Sequence, residues 1–186
     1  MSEARARLLA TASGLFYAEG IHAVGIDRIV STAGVTRATL YRHFPGKDDL
    51  VVAYLTQADD AMRARTGDTI AAGASTDDII RAIGKSIADD LHRPGFRGCA
   101  FLNAAAEYPD PAHPVHRAVL AHRQWLLDTV TELFSQTEKP DAEPAGRHFV
   151  MLRDGAMAAG CLTDPDPIAE TFLRGVEGLL TFRSRA

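Results

Sequence analysis

Apolar residues recur with the period of an α-helix along almost the whole chain, and no long run alternates with the period of a β-strand. Leu8, Ala12, Leu15 and Phe16, for example, fall on one face of a helix. Glycine, proline and short polar residues separate these segments, as is typical of helix ends and turns. The pattern predicts an all-α fold of about nine helices, with approximate bounds 3–19, 26–33, 37–43, 47–65, 77–92, 98–107, 114–136, 145–161 and 168–182.

Composition excludes several classes of protein. A chain of 186 residues with 46% hydrophobic residues is typical of a soluble globular protein. No run of apolar residues is long enough to span a bilayer, and the N-terminus is too polar for a signal peptide. Cys99 and Cys161 do not form a disulfide framework, and we interpret them as small buried side chains in a reducing compartment. We therefore expect a cytoplasmic protein without a membrane partner.

The charge distribution is asymmetric. The net charge of −4 does not favour nucleic acid, yet residues 28–47 contain Arg28, Arg37, Arg42, His43 and Lys47 and no acidic residue. An acid-free window of this length also arises by chance. The window indicates a functional surface only if the fold groups its charges on one side.

The same window has the spacing of a helix-turn-helix. A short helix over 26–33 is followed by a turn at Gly34 and by a second short helix, over 37–43, that Thr36 would cap. In such a motif the N-terminal end of the second helix reaches base edges in the major groove, where an arginine can bind guanine. The spacing alone also fits a helical hairpin with a solvated basic face. The DNA contacts predicted from this motif are Thr36, Arg37, Thr39, Tyr41, Arg42, His43 and Lys47.

The segments Ala33-Gly34-Val35-Thr36 and Leu40-Tyr41, followed by Phe44 and Lys47, also carry a resemblance. Over about residues 8–55 the chain resembles the N-terminal domain of tetracycline-repressor (TetR) family transcription regulators. One departure is Gly25, where many members carry serine or threonine and so have a side-chain cap. The resemblance implies a DNA-binding domain over residues 1–47 and a ligand-binding and dimerisation domain over residues 48–186.

The resemblance also implies roles for individual residues. It assigns Thr36, Arg37 and Thr39 to the groove, and it assigns Arg28, Tyr41, His43 and Lys47 to the phosphate backbone. It makes Ala33, Val35, Leu40 and Phe44 core residues that fix the angle between the two helices. The partner is then double-stranded DNA with a palindromic operator.

The last two predicted helices carry the dimer hypothesis. Their small residues allow close approach, and their apolar stripe would form a four-helix bundle with a second copy of the chain. The candidate interface residues are Gly155, Ala159, Phe172, Val176 and Leu179. The alternative is that these stripes are buried within one chain.

The C-terminal part also carries a candidate pocket for an unknown small-molecule effector. Asn103 and Glu107 would share one helix face among aromatic residues. Alternatively, Phe101 and Trp125 are core residues and Glu107 caps or pairs. The candidate lining residues are Tyr54, Met62, Leu91, Phe96, Phe101, Asn103, Glu107, Tyr108, His122, Trp125 and Met151.

The sequence lacks the motifs of an enzyme. It contains no Gly-x-Ser-x-Gly segment and no phosphate-binding glycine loop. His113 and His116 are spaced to bind a metal, but prolines flank them at a helix start, which is more typical of solvated residues. We predict no catalytic residue, metal or cofactor. Three hypotheses remain: a ligand-released repressor, a DNA-binding protein without an effector, and a helical binding or catalytic protein that does not bind DNA.

Overall fold

The computed structural model describes residues 2–72, 75–137 and 141–181, and every regular element in these ranges is a helix. The prediction of an all-α fold with nine helices is therefore confirmed for the described part of the chain. The helices are α1 (Glu3–Glu19), α2 (Ile26–Ala33), α3 (Arg37–His43), α4 (Lys47–Ala71), α5 (Thr76–Leu91), α6 (Ala100–Glu107), α7 (Pro114–Ser135), α8 (Ala142–Ala159) and α9 (Pro165–Thr181).

Local sequence explains the ends of the first three helices. The hydroxyl of Ser2 caps α1 by accepting a hydrogen bond from the N–H of Arg5, and Gly20 ends that helix. Gly34 ends α2 with φ 63° and ψ 41°, a left-handed conformation that glycine adopts without strain. Thr36 Oγ1 caps α3 by accepting from the N–H of Thr39 at 3.1 Å, as the sequence predicts.

The later helix bounds differ from the predicted ones at several ends, including the start of α9, which lies at Pro165 rather than at residue 168. The composition of residues 66–75 indicates a linker or a frayed helix end, and the helix end predicted near residue 65 is wrong, since α4 continues to Ala71. Thr66 is buried there, and the Thr69 hydroxyl donates to the carbonyl of Arg65. The predicted start of α5 at residue 77 makes Thr76 its expected cap, but the cap is Ser75, whose hydroxyl accepts from the N–H of Asp78. α8 begins earlier than predicted, because Pro144 lies in the first turn, where a missing N–H leaves no helical hydrogen bond unmade. Residues 139 and 140 of the loop predicted over 139–144, and residue 182 of the predicted last helix, lie outside the described residues.

Contacts divide the chain into two compact units. The first comprises Met1–Ala61 and Ala100–Leu120, and the second comprises Met62–Cys99 and Ala121–Ala186. In the second unit, α9 packs on α5 and α8, and small residues allow close approach: Gly84 faces Val176, and Gly175 faces Leu152. The predicted division between residues 47 and 48 concerns function, and it stays a prediction.

Two expectations from composition can be compared with the described residues. None of the helices in the described ranges is both long and apolar enough to cross a membrane. Cys99 is buried, as expected, but Cys161 is exposed in the turn that follows α8, where its thiol donates to the carbonyl of Met157. The expectation of burial was wrong for Cys161 because the helix ends just before it.

Candidate nucleic-acid interface

A shared apolar core fixes the geometry of α2 and α3. Ile29 of α2 and Leu40 of α3 are fully buried, and Phe44 and Ala33 are nearly so. Both helices pack on α1, so three elements hold the angle between them. Ala33, Leu40 and Phe44 are therefore core residues, as predicted, while Val35 is half-buried.

The opposite side of α3 is exposed and basic. Arg37 and Tyr41 are one helical turn apart and so share a face, with Arg42 next to them. Tyr41 is 48% exposed although it is a large aromatic side chain. Thr39 is half-buried. This exposed face of α3 is the surface that a recognition helix would present to a major groove.

Arg37 is engaged in a bidentate ion pair that the sequence did not indicate. Its Nε donates to Asp27 Oδ1 at 2.7 Å, and its Nη2 donates to Asp27 Oδ2. The hydrogen bonds and opposite charges lower the pKa of Asp27 and raise the pKa of Arg37. Asp27 immediately precedes the acid-free window, and because the two residues lie on different helices, no spacing rule within one helix relates them.

Several other predicted DNA contacts also have partners within the protein. Arg28 Nη2 lies 3.3 Å from Glu19 Oε1 in an exposed ion pair. The Thr36 hydroxyl is occupied by the α3 cap and contacts the Thr39 hydroxyl at 3.0 Å. His43 Nε2 lies 3.3 Å from the Ser2 hydroxyl. These contacts are exposed and exchange readily. DNA phosphates can replace the protein acceptors and accept hydrogen bonds from the same side chains.

Lys47 stands at the first position of α4, where the backbone N–H groups lack helical partners and favour an anion. Its side chain is half-buried, and burial lowers its pKa, while the carboxylates of Glu107 and Asp48 act in the opposite direction. The ammonium group is thus close to two carboxylates of the protein as well as to a helix terminus.

The segment that joins α6 to α7 connects the α1–α2 loop with the start of α4 within the first unit. The Glu107 carboxylate accepts the backbone N–H of Ile21 at 2.8 Å and also that of His22, in the loop between α1 and α2. The Tyr108 hydroxyl donates to Asp48 Oδ1 at 3.0 Å, at the start of α4. Burial, followed by the hydrogen bond to Asp48, raises the pKa of Tyr108. Glu107 is therefore paired with backbone N–H groups. The sequence left this role open as the alternative to lining a ligand pocket.

The histidines near this segment take part in packing. The Tyr108 ring contacts the rings of His22 and His113, with centroid distances of 4.9 and 4.6 Å. His113 Nε2 is 3.2 Å from Asp48 Oδ2, and His116 Nδ1 is 2.6 Å from the Tyr108 carbonyl oxygen. Among the described residues, no three metal-binding side chains come together.

The predicted pocket residues are divided between the two units. Tyr54, Phe101, Asn103, Glu107 and Tyr108 belong to the first, and Met62, Leu91, Phe96, His122, Trp125 and Met151 belong to the second. In the second unit Leu91 and Phe96 both pack near Gly160, and the rings of His122 and Trp125 are 5.7 Å apart.

Burial separates these residues further. Tyr54 and Phe101 are buried, Asn103 is exposed, and Met151 is 69% exposed. Met62 lines a small cavity of the second unit, together with polar residues that include Arg65 and Arg153. The sequence did not indicate this cavity, because such residues look like ordinary surface residues of helices.

Four of the predicted interface residues line a surface groove, and the fifth, Val176, does not. Gly155, Ala159 and Leu179 line an apolar surface groove of about 540 Å³ between α8 and α9. Phe172 borders this groove but is buried against Phe149, with ring centroids 6.0 Å apart. Val176 is buried within the chain against Gly84 of α5, which is the alternative left open for these stripes.

Comparison with known proteins gives concordant results. Residues 8–54 match the family described as bacterial regulatory proteins, tetR family. The chain is 67% identical to SCO4454, a TetR-family transcriptional regulator from Streptomyces coelicolor, whose crystal structure superposes with a TM-score of 0.94 over 97% of this chain and 95% of that one.

More distant relatives are also regulators. The HTH-type transcriptional regulator YjdC of Escherichia coli is 21% identical over 96% of this chain and 94% of its own. The HTH-type transcriptional activator FasR of Mycolicibacterium smegmatis is 30% identical over 77% of this chain and 64% of its own.

Proposed function

The chain belongs to the TetR family of DNA-binding transcriptional regulators, and from that premise we propose that it is a cytoplasmic, homodimeric repressor that a small molecule releases from a palindromic operator. Members of this family are regulators rather than enzymes. The residues proposed for DNA contact are those on α3 and its flanks.

The exposed face of α3 is the observation that supports the proposed DNA-contact residues most strongly. Arg37, Tyr41 and Arg42 project from a helix whose other side is anchored by the buried Leu40. A rigid helix that presents arginines at its exposed side suits bidentate contact with guanine and contact with phosphates. The Asp27 carboxylate keeps the Arg37 guanidinium extended and oriented until a base edge replaces it.

The groove between α8 and α9 supports the dimer. Met151 stands 69% exposed there beside Gly155, and an exposed methionine next to small residues is typical of a surface that another helix covers. A second copy related by a two-fold axis would complete a four-helix bundle. Two recognition helices in a symmetric dimer read half-sites about one helical turn apart, or a multiple of it, which makes the operator a palindrome.

Release follows from linkage. A ligand that binds better to one arrangement of the protein shifts the population toward it, and the same free energy lowers DNA affinity if DNA prefers the other arrangement. The direction of regulation is part of the proposal, since the relative FasR is named as an activator.

Fluorescence anisotropy with duplexes from the DNA flanking its own gene tests the function. We expect tight binding to one duplex, with the logarithm of the binding constant falling linearly with the logarithm of salt concentration, since each phosphate contact releases counterions. A reporter gene placed behind the bound duplex, compared in strains with and without the protein, shows whether the protein represses or activates transcription. Affinity that does not change with salt, or equal weak binding to every duplex, would contradict the proposal.

The small volume of the Met62 cavity favours a second candidate, a DNA-binding regulator without an effector. The cavity encloses only about 20 Å³. A thermal-shift screen separates the two candidates, because a ligand present at 100 times its dissociation constant stabilises the folded protein by about 2.7 kcal/mol. A compound that both stabilises the protein and weakens DNA binding supports the released repressor.

A further inference from the structure

The cavity that Met62 lines combines apolar walls with two arginine side chains, of which Arg153 is buried and Arg65 is partly exposed. Its apolar wall comes from Met62, Ile83, Ile87 and Leu126, and all its lining residues belong to the second unit. The polar lining residues are Arg65, Thr66, Thr69, Ser86 and Arg153. Apolar walls with a few convergent polar groups are the kind of lining that small-molecule sites have, although this cavity is far smaller than most of them.

Arg153 is the most deeply buried of these polar groups. Its side chain is only 3% exposed, and a charge in such a place needs partners. One Nη donates to Asp154 Oδ1 at 2.9 Å, and the Cys99 thiol is a further hydrogen-bond partner. Its Nε is buried and has no hydrogen-bond partner among the described residues. Buried donors of this kind are rarely left without a protein, water or ligand partner.

The carboxylate beside Arg153 is shared. Asp154 Oδ2 also lies 2.7 Å from Nη2 of Arg123, so one negative charge serves two guanidinium groups. The pKa of Arg153 is raised despite its burial, so it carries its positive charge.

The Arg65 side of the cavity repeats this arrangement. Arg65 forms two hydrogen bonds of 3.1 Å to Asp90, and Arg93 Nε lies 3.0 Å from the same carboxylate. The Arg65 Nε is also buried without a hydrogen-bond partner in the described part of the chain. Two arginines thus line one cavity, each shares its aspartate with another arginine, and each keeps an unsatisfied N–H.

We propose that this cavity binds a small organic anion, a carboxylate with a short apolar tail, and that Arg153 and Arg65 recognise its carboxylate. Arginine suits this role because its planar guanidinium binds carboxylates with directed hydrogen bonds and stays charged when buried. The hydroxyls of Thr66, Thr69 and Ser86 are available to orient the ligand, and Ile83, Ile87 and Leu126 face its tail. The inference rests on the proposed function, because it names the chemical class of the effector.

The size of the cavity limits the ligand. About 20 Å³ is room for little more than a water-sized group. A longer ligand must displace a flexible wall side chain, and Met62 is the lining residue best suited to move because its side chain is unbranched. We therefore expect short alkanoates to bind first, with affinity rising over the first few methylene groups and falling once the wall cannot yield.

The test uses the full-length protein and a series of straight-chain alkanoates from acetate to octanoate, each matched by its primary amide. Binding is measured by calorimetry and thermal shift at constant ionic strength, since salt alone weakens DNA binding. We expect at least one alkanoate to bind at least tenfold more tightly than its amide. The same alkanoate should lower the affinity of the protein for its operator.

Two variants and one control assign the binding to the cavity. We expect Arg153→Met to reduce alkanoate affinity at least tenfold, and Arg65→Gln keeps the test valid if Arg153→Met does not fold, because the Arg65 side chain is 40% exposed. Arg147→Gln removes a charge from the surface of α8, where the arginine pairs with Glu143, and should bind like the wild type.

Three results would overturn the inference: no alkanoate binds, amides or inorganic sulfate bind as tightly as alkanoates, or both Arg65→Gln and a folded Arg153→Met bind like the wild type. A neutral or cationic compound that releases DNA while no alkanoate binds would overturn the anion but leave the proposed function intact. Loss of DNA binding in every assay would instead contradict the proposed function itself.

Discussion

Arg37 is paired with the Asp27 carboxylate within the protein, and in the proposed complex a base edge on DNA competes with that carboxylate. The ion pair with Asp27 is exposed on both sides and exchanges readily with other partners. A bidentate contact with guanine in the groove, in contrast, discriminates against other bases. Arg42 lies on the same exposed side of α3 and suits a phosphate.

A base contact by Arg37 and a phosphate contact by Arg42 predict different changes in DNA binding when each residue is replaced by alanine. Arg37→Ala should relax the preference at one base position of the operator by roughly tenfold while nonspecific affinity changes little. Arg42→Ala should weaken binding to all duplexes about equally and reduce the dependence on salt by about one phosphate contact. Anisotropy with single-base operator variants measures both effects. The assignment fails if the two variants are indistinguishable from each other.

Asp27 is expected to restrain nonspecific binding. Asp27→Asn removes a negative charge from the surface proposed to face DNA and frees the Arg37 guanidinium to contact phosphates, so affinity for unrelated duplexes should rise severalfold and the specificity ratio should fall. Asp128→Asn on α7, where the carboxylate accepts from Gln124, makes the same change of charge elsewhere and serves as the control. Equal effects of the two substitutions would show that only net charge matters.

At the scale of the elements, the turn between α2 and α3 depends on Gly34. Because its φ is 63°, any side chain there adopts a strained left-handed conformation. Gly34→Ala should lower the free energy of unfolding by about 1–2 kcal/mol. Gly14→Ala, at an open position inside α1, should raise it by up to about 1 kcal/mol because alanine favours a helix. Thermal unfolding of both variants checks the contrast; a stabilising Gly34→Ala would be incompatible with this turn.

The segment that carries Glu107 is expected to position the helix-turn-helix. Glu107→Ala leaves the N–H groups of Ile21 and His22 without their acceptor, at a cost of about 1–3 kcal/mol in stability. The variant should also bind the operator severalfold more weakly, since the loop leading into α2 loses its anchor. Glu132→Ala, which removes an exposed carboxylate of α7, should change neither quantity. Unchanged DNA affinity in the Glu107 variant would remove its positioning role.

Helix periods and end signals were sufficient to predict the elements, because Gly20, Gly34 and Thr36 act through local backbone geometry. The same reasoning failed at residues 66–71, where tertiary burial of Thr66 outweighs a composition typical of a linker. It also missed the Asp27–Arg37 pair and the arginine-lined cavity. Both depend on residues of different helices, and a single sequence does not show which helices meet.

On the scale of the whole molecule, binding to a palindromic operator requires two chains, one for each half-site. The groove between α8 and α9 offers an apolar surface for the second copy, and a stable interface buries on the order of 800 Å² on each partner. Met151→Glu places a charge in this groove and should shift the protein from dimer to monomer, with loss of operator binding. Leu162→Glu changes an even more exposed apolar residue outside the groove, one that is 82% exposed, and should leave the dimer intact. Size-exclusion chromatography with light scattering distinguishes these outcomes; a dimer that survives Met151→Glu would refute this interface.

The central claim is that α3 enters the major groove of DNA twice, once from each copy of the chain. A hydroxyl-radical footprint on the DNA flanking the protein's own gene tests it most directly. The account predicts two protected patches related by a dyad, with centres about 34 Å apart or a multiple of that distance. A fully bound duplex with a single protected patch, or with no localised protection, would contradict it.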